Sequence, residues 1–159
     1  LEMMQKVKEL LDQGGRLEES VSEEIANHRQ TKGKYIPGFG HRFHKPEDPR
    51  APRLMKLVSD AEGDKIVSGN FMRIGLEIQR QLSQGKSTGI AMNIDGATAV
   101  IFGELGFAPP LARGLFCLSR SVGILAHAWE QKNQGGRNKG PTPPEFLWNY
   151  SGKNPLEEG

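Results

Sequence analysis

The chain has 159 residues, which is enough for one domain, or for one domain and part of another, and too few for a large multidomain enzyme. Hydrophobic residues make up 36% of the sequence and charged residues 25%, a composition that is typical of a folded globular protein and excludes a disordered one. The 21 lysines and arginines nearly balance the 19 aspartates and glutamates, so the formal charge is only +2. We therefore expect neither a nucleic acid nor a membrane surface as a partner.

The single cysteine, Cys117, excludes an internal disulfide framework and a zinc site built from several cysteines, and it predicts a reducing, cytoplasmic compartment. Residues 105–129 are the most apolar stretch, yet two prolines and three cationic side chains interrupt it, so no membrane span is predicted. Residues 1–6 lack the apolar core of a signal peptide. Because the sequence begins at Leu1, within an amphipathic pattern, we expect it to be part of a longer protein.

Apolar residues recur at the three- and four-residue spacing of an amphipathic helix along most of the chain. Six helices are predicted: residues 1–13, residues 20–29 behind a Ser20–Glu23 capping box, a segment beginning near Pro52, a segment from Val67 to Gly85, residues 94–105, and a helix from Pro109 to about Gln134. Residues 31–49 are rich in glycine and proline and are predicted to form a loop. No segment alternates apolar and polar residues as a strand does, so the sequence predicts an all-α fold.

Several short motifs resemble ligand-binding patterns but lack a required residue. The segment Gly85–Ser87 ends like a phosphate-binding loop, but position 80 is an arginine where that loop needs glycine. The segment Gly38–Gly40 lacks the third glycine of a dinucleotide-binding turn. His41 and His44 have no acidic or cysteine residue at ligand spacing, so no metal site is predicted. Cys117 lies on a nearly all-apolar helix face and is predicted to be a buried structural thiol.

Residues 35–50 concentrate cationic side chains on a backbone that contains glycine. Glycines allow a ligand to approach backbone N–H groups, and two histidines, two arginines and a lysine suit a phosphate or a carboxylate. A basic surface loop explains the same composition. Asp95 stands at an expected helix start, where an N-cap is the alternative explanation for an aspartate. Arg113, Arg120 and His127 recur every seven residues and therefore share one face of the last helix.

Four segments, taken together and in order, resemble the citrate synthase superfamily, which includes citrate synthases, methylcitrate synthases and citryl-CoA lyases. They are Gly-Phe-Gly-His-Arg at 38–42, Asp-Pro-Arg-Ala-Pro-Arg at 48–53, Asn-Ile-Asp-Gly at 93–96, and Ser-Arg-Ser-Val-Gly at 119–123 followed by Ala-His-Ala-Trp-Glu-Gln at 126–131. The glycine–histidine segment and the Asn-x-Asp segment are the specific parts. The resemblance covers nearly the whole chain.

The resemblance implies an all-α, citrate-synthase-like fold that forms the C-terminal portion of a homodimeric enzyme. Residues 1–14 correspond to the end of a large-domain helix, residues 15–115 to the small CoA-binding domain, and residues 116–159 to the C-terminal helix and tail of the large domain. A first catalytic histidine of the family lies upstream of the position that corresponds to Leu1. We therefore expect negligible turnover from residues 1–159 alone.

The resemblance also implies residue roles. Asp95 is expected to be the base that removes a methyl proton from acetyl-CoA, and His41 to hydrogen-bond the carbonyl oxygen of the oxoacid. Arg50 and Arg120 are expected to bind the carboxylates of this di- or tricarboxylate substrate. No tightly bound cofactor is implied, since CoA is a substrate. The positions that correspond to the CoA site are Tyr35, Ile36, Pro37, Gly38, Phe39, Gly40, Arg42, Lys45 and Asn93.

One departure from the family pattern bears on the substrate. The family places a further carboxylate-binding arginine before a proline in the C-terminal tail, whereas residues 139–145 contain no arginine and Arg137 is shifted. Either Arg137 substitutes for it, or the ligand has fewer carboxylates, or this member is a lyase or a paralogue with another substrate. Two further alternatives are a CoA-binding or regulatory module without turnover, and a helical interaction domain in which Asp95 is only a cap.

Overall fold

The computed structural model describes residues 1–45 and 47–135. Six α-helices follow one another in these residues: α1 (Glu2–Asp12), α2 (Leu17–Thr31), α3 (Arg50–Gly63), α4 (Asn70–Ser83), α5 (Ile94–Glu104) and α6 (Pro109–Asn133). The described residues form no strand, and an isolated antiparallel bridge joins Phe39 to Met92. The prediction of an all-α fold is confirmed. Within these residues, no helix combines the length and the apolar character that a membrane crossing requires.

The second helix begins earlier than its predicted capping box. Ser20 is buried inside α2, and its N–H donates to the carbonyl oxygen of Arg16 at 2.9 Å, so Arg16 and not Ser20 is the N-cap. The predicted capping box is therefore wrong. The physical reason lies in the preceding turn, where a Cβ on Gly15 would approach Leu10 O and Ser20 Oγ to 2.9 Å. This close turn starts the helix three residues before the serine.

The fourth helix begins later than predicted, because a distant carboxylate caps it. Glu104, the last residue of α5, accepts hydrogen bonds from the N–H groups of Gly69 (2.9 Å), Phe71 (2.7 Å) and Met72 (3.2 Å). Gly69 has a φ of 71°, a left-handed conformation that favours glycine and sets the start of α4 after Val67. A negative charge at a helix N-terminus is also favourable to the helix dipole. The cap joins the end of α5 to the start of α4.

The core lies around α4, which packs against α1, α2 and α5, while α3 packs against α5. Ile74 and Ile78 on α4 have no exposed surface. Gly75 brings α4 close to α5, since a Cβ there would approach Met92 Cε and Val100 Cγ2 to 2.9 Å. The main core residues are Met4, Val7, Val21, Ile25, Ile36, Val58, Phe71, Ile74, Ile78, Leu82, Met92, Ala97 and Val100. This packing holds the N-terminus of α5 in place.

The chain divides into two units, residues 1–117 and residues 118–159, and α6 runs from the first into the second. The predicted tail after α6 lies outside the described residues. The apolar stripe of α6, which consists of Leu111, Leu118, Val122, Leu125 and Trp129, is exposed. Cys117 on the same helix is exposed as well, so the prediction of a buried thiol is wrong: the helix face expected to bury it is open. The predicted domain assignment of residues 1–14, 15–115 and 116–159 stays a prediction.

Candidate active site

The predicted cationic loop, residues 35–50, contacts the segment that leads into α5 at Gly38 and Gly40. Ile36-Pro37-Gly38-Phe39 forms a turn in which Phe39 N–H donates to Ile36 O at 3.3 Å. Gly38 has a φ of 90°, as the third residue of a type II turn requires, and proline suits the second position. The turn explains why a Pro-Gly pair stands here.

Residues 38–40 pair with residues 91–93 in an antiparallel arrangement. Gly40 N–H donates to Ala91 O at 2.6 Å, and Asn93 N–H donates to Gly38 O at 2.9 Å. Gly38 and Gly96 are in backbone contact: a Cβ on Gly38 would approach Gly96 Cα to 2.8 Å, and a Cβ on Gly96 would overlap the carbonyl oxygen of Gly38. The two segments that carry His41 and Asp95 in the sequence are therefore joined in the fold.

Asn93, not Asp95, is the N-cap of α5. Asn93 Oδ1 accepts hydrogen bonds from the N–H groups of Asp95 (3.0 Å) and Gly96 (3.2 Å). Asp95 follows in the first turn, where the helix dipole favours a carboxylate, and its side chain is exposed. The alternative in which Asp95 itself caps the helix is wrong, because the residue two positions earlier does so.

His41 is held by the backbone of its own loop. Its Nδ1 accepts hydrogen bonds from the N–H groups of Phe43 and His44, both at 3.1 Å, and its ring stacks on that of His44 at 4.4 Å between centroids. Since an acceptor nitrogen carries no proton, the hydrogen of the neutral ring is assigned to Nε2. The half-buried ring therefore offers an N–H donor on the side away from the loop backbone.

Arg50 is paired with Asp48, a residue that has no exposed side-chain surface. Asp48 Oδ1 accepts from Arg50 Nε at 2.9 Å and Oδ2 accepts from Arg50 Nη2 at 2.7 Å. These hydrogen bonds hold the pKa of Asp48 well below its usual range and raise the pKa of Arg50. The pair uses one edge of the guanidinium, and a guanidinium has five N–H groups. The other edge keeps the fork geometry that a second carboxylate requires.

The Asp48–Arg50 pair predicts a pH dependence of stability. Because the pKa of Asp48 is lower in the folded chain than in the unfolded one, its contribution is complete above the ordinary value of 3.8 and is lost as the pH falls below it. We expect Asp48→Asn to lower the free energy of unfolding by about 2 kcal/mol at pH 7, with a smaller difference at pH 3. Urea unfolding of both proteins at the two pH values measures this. Asp60→Asn, at an exposed pair with Lys56, is the control and should change little. If Asp48→Asn lowered the free energy of unfolding equally at both pH values, the lowered pKa of Asp48 in the folded chain would be contradicted.

A cavity of about 640 Å³ adjoins the joined segments and lies wholly within residues 1–117. Five of the predicted site residues line it: Ile36, Pro37, Gly38, Phe39 and Asp95. Its volume is within the range of small-molecule sites. The structure therefore brings the proposed base and all four residues of the glycine turn, residues 36–39, to one cavity.

The cavity has lining residues that the sequence did not assign to the site. They include the apolar side chains of Met3, Phe102 and Phe116 and the cationic ones of Lys6, Lys32 and Arg113. Lys32 forms a 2.8 Å ion pair with Glu2. The sequence marks Arg113 only as a cation on an apolar helix, and no local signal marks the others, since they come together from α1, from the residue after α2, from α5 and from α6.

The remaining predicted site residues do not line this cavity. Tyr35 is 85% exposed, and Arg42 and Lys45 are exposed loop residues. Gly40, His41, Arg50 and Asn93 belong to the neighbouring loop and helix start. Arg120 lies on α6 in the second unit, where its side chain is exposed. Their roles stay predictions.

Comparison with known proteins identifies the family to which this fold and site belong. The family described as "Citrate synthase, C-terminal domain" matches residues 1–141. The citrate synthase of Acidithiobacillus ferridurans is 32% identical over 140 residues, which are 87% of this chain and 36% of that protein. Citrate synthase 1 of Mycobacterium tuberculosis is 29% identical over 158 residues, 95% of this chain and 34% of that protein. The chain therefore belongs to the citrate synthase family.

Solved structures agree with this assignment. The citryl-CoA lyase of Hydrogenobacter thermophilus matches with a TM-score of 0.65 and 29% identity, over 96% of this chain and 56% of that chain. The citrate synthase of Thermotoga maritima matches with a TM-score of 0.61 and 28% identity, over 99% of this chain and 42% of that chain. The resemblance read from the four segments is confirmed, and the citrate-synthase-like fold with it. The chain spans about a third of the length of the two curated relatives described above.

Proposed function

We propose that this chain supplies the CoA-binding site and part of the catalytic site of an enzyme that forms or cleaves a carbon–carbon bond between acetyl-CoA and an oxoacid. The reaction is acetyl-CoA plus an oxaloacetate-like acid giving citryl-CoA, which water hydrolyses to citrate and CoA in a synthase, or the reverse cleavage of citryl-CoA. The observation that carries the proposal is Asp95: it is exposed in the first turn of α5, it lines the cavity, and capping does not explain it because Asn93 is the cap.

Asp95 is the proposed base. In the forward direction its carboxylate takes a proton from the methyl group of acetyl-CoA, and the C–H electron pair remains on the substrate as an enolate. The N-terminus of α5 favours the ionised carboxylate before the substrate arrives. In the cleavage direction the protonated Asp95 returns the proton to the acetyl-CoA enolate. The same residue therefore serves either direction.

His41 and Arg50 are the proposed partners of the oxoacid. As the enolate carbon attacks the carbonyl carbon, negative charge develops on the carbonyl oxygen, and a donor such as His41 Nε2–H stabilises it. The two backbone N–H groups on Nδ1 support this role because they fix the tautomer and the ring orientation. The second edge of Arg50, oriented by Asp48, binds one substrate carboxylate, and Arg120 binds another.

CoA is proposed to bind along the glycine turn and the cavity. The proposed contact residues are Tyr35, Ile36, Pro37, Gly38, Phe39, Gly40, Arg42 and Lys45. Cavity-lining apolar side chains such as Phe102 and Phe116 suit the pantetheine and acyl part, while cations at the loop and at Lys32 suit its phosphates. Acetyl-CoA enters as a substrate, and no further cofactor is part of the proposal.

We further propose a cytoplasmic homodimer, in which the open apolar stripe of α6 is covered. The stripe includes Leu118, Val122, Leu125 and Trp129, which are 63% to 72% exposed, and an open apolar surface of this kind marks a contact with other protein. The number of carboxylates on the oxoacid depends on whether Arg137, which lies outside the described residues, substitutes for the tail arginine of the family. The alternative function is a CoA-binding or regulatory paralogue without turnover.

The proposed function is tested by binding and turnover together. The protein as the gene encodes it is titrated with CoA by calorimetry and assayed both for condensation of acetyl-CoA with oxaloacetate and for cleavage of citryl-CoA. We expect CoA binding that weakens with salt, because phosphate–cation attraction is screened, and turnover in at least one direction. Residues 1–159 alone are expected to bind CoA weakly and to turn over negligibly.

Lys45→Ala tests whether the loop at residues 35–50 binds CoA, as distinct from the effect of removing any one positive charge from the protein. It should weaken CoA binding by up to about five-fold, the equivalent of at most about 1 kcal/mol for an exposed charge pair. Lys86→Ala, another exposed loop lysine, is the matched control and should leave the affinity unchanged. Binding without turnover would favour the regulatory alternative, and a folded protein that does not bind CoA at millimolar concentration would exclude both.

A further inference from the structure

The side-chain amide of Asn93 is engaged at both ends within the chain. Its Oδ1 accepts from the N–H groups of Asp95 and Gly96, as the cap of α5, and its Nδ2 donates to Gly40 O at 2.8 Å. An amide group has one acceptor oxygen and two donor hydrogens, so these bonds use the oxygen and one hydrogen. The chain itself therefore occupies the acceptor oxygen, and one Nδ2 hydrogen remains.

The bonds of Asn93 connect the two parts of the proposed site by a short path. Gly40 is followed directly by His41, and Asn93 stands two residues before Asp95. The hydrogen bond from Asn93 Nδ2 to Gly40 O joins residues 53 positions apart, and it is the side-chain member of three hydrogen bonds that hold the segment before His41 against the start of α5. Asn93 N–H also donates to Gly38 O, which ties the backbone of the same two segments.

The surroundings of Asn93 are rigid, so its hydrogen bonds transmit a fixed geometry. Met92 beside it is 2% exposed, and Met92 N–H donates to Gln79 Oε1 on α4 at 2.6 Å. The backbones of Gly96 and Gly38 are in contact, so the two segments cannot move closer to each other. Close packing of this kind does not reach the loop after Gly40. The hydrogen bond from Asn93 Nδ2 to Gly40 O acts at the start of that loop.

We infer that Asn93 is a positioning residue, which sets the distance between the His41 loop and Asp95, rather than a ligand of CoA. The inference rests on the proposed function, since it assigns Asn93 to that reaction. Loss of the amide donor should leave the helix cap intact but let the loop move. A displacement of about 1 Å between reacting groups lowers the rate by up to about 100-fold.

Asn93→Ser is the discriminating variant. Serine caps helices about as well as asparagine. It has no amide group, so the hydrogen bond from Nδ2 to Gly40 O is lost. In the protein as encoded, we expect kcat and the solvent exchange of the acetyl methyl protons to fall 10- to 100-fold, while the KM for acetyl-CoA changes less than about two-fold. Far-UV circular dichroism should keep the helix content. Asn93→Asp keeps the cap and the side-chain shape and places an oxygen against Gly40 O, so it should lower kcat at least as far.

The outcomes distinguish three roles for Asn93: a positioning residue, a ligand of CoA and a structural cap. A KM for acetyl-CoA, or a Kd for CoA, that rises ten-fold with an unchanged kcat would identify Asn93 as a CoA ligand and overturn the inference. A lower melting temperature with wild-type kcat and KM, measured well below that temperature, would reduce Asn93 to a structural cap and overturn it as well. Asp95→Asn, assayed in parallel, tests the proposed function separately. If Asp95→Asn removes exchange while Asn93→Ser retains it, the inference alone fails; if Asp95→Asn retains exchange, the proposed function fails.

Discussion

Asp95→Asn is expected to abolish exchange of the acetyl methyl protons with solvent while leaving the fold intact. Asparagine has the shape of aspartate but cannot accept a proton as a base. The cap of α5 is untouched, because Asn93 provides it. The variant loses the interaction of a charge with the helix N-terminus and its attraction to the Arg50 guanidinium, both at an exposed residue, so the free energy of unfolding should change by less than about 1 kcal/mol. Exchange measured by NMR with an oxoacid analogue bound, together with thermal unfolding, checks both parts.

Glu18→Gln is the control for the charge effect. Glu18 is an exposed acidic residue in the first turn of α2, so it has the same relation to a helix dipole as Asp95 but lies outside the site. Its replacement should change stability by a similar small amount and leave exchange at the wild-type rate. Exchange that persists in Asp95→Asn would show that Asp95 is not the base, and His41 and Arg50 would then need another explanation.

The helices were predictable because their signals are local. Apolar spacing predicted five of the six, a capping box that the structure contradicts predicted the second, and the loop at residues 31–49 followed from its glycines and prolines. Two helix starts were missed for reasons that local sequence does not contain. The carboxylate that caps α4 comes from Glu104, 33 residues beyond Phe71, and α2 starts early because Gly15 packs against Leu10 O.

The residues of the candidate site were proposed from the sequence, whereas their arrangement comes from the fold. The segments at 38–42 and 93–96 carry no local signal of the backbone pairing that joins them, because it spans more than fifty positions. Sequence reasoning gave Arg50 to the substrate without its buried partner Asp48, since burial is a property of the whole fold. It also predicted a buried Cys117, because an apolar stripe indicates a covered face without indicating what covers it.

Gly96→Ala is expected to be the most damaging small substitution in the site. A Cβ at position 96 would overlap the carbonyl oxygen of Gly38 and lie 2.7 Å from Met92 Cγ. The first of these is backbone and the second belongs to a buried side chain, so neither moves freely. Overpacking of this kind costs about 1–3 kcal/mol and forces the backbone to shift. We expect a loss of about 3 kcal/mol, measured by urea unfolding, and a fall in turnover because the His41 loop is pushed away from α5.

Gly114→Ala is the matched control, since Gly114 is also a helical glycine but has no atom within 4 Å of an added Cβ. Alanine favours a helix over glycine by about 1 kcal/mol, so this change should stabilise the protein or leave it unchanged. The two variants make the same chemical change, and only the proximity of Gly38 differs. Equal stability in both would mean that the 38–40 segment does not contact α5 in solution. The joint between the proposed base and the proposed hydrogen-bond donor would then be absent, and Asp95 and His41 could not act on one substrate through this arrangement.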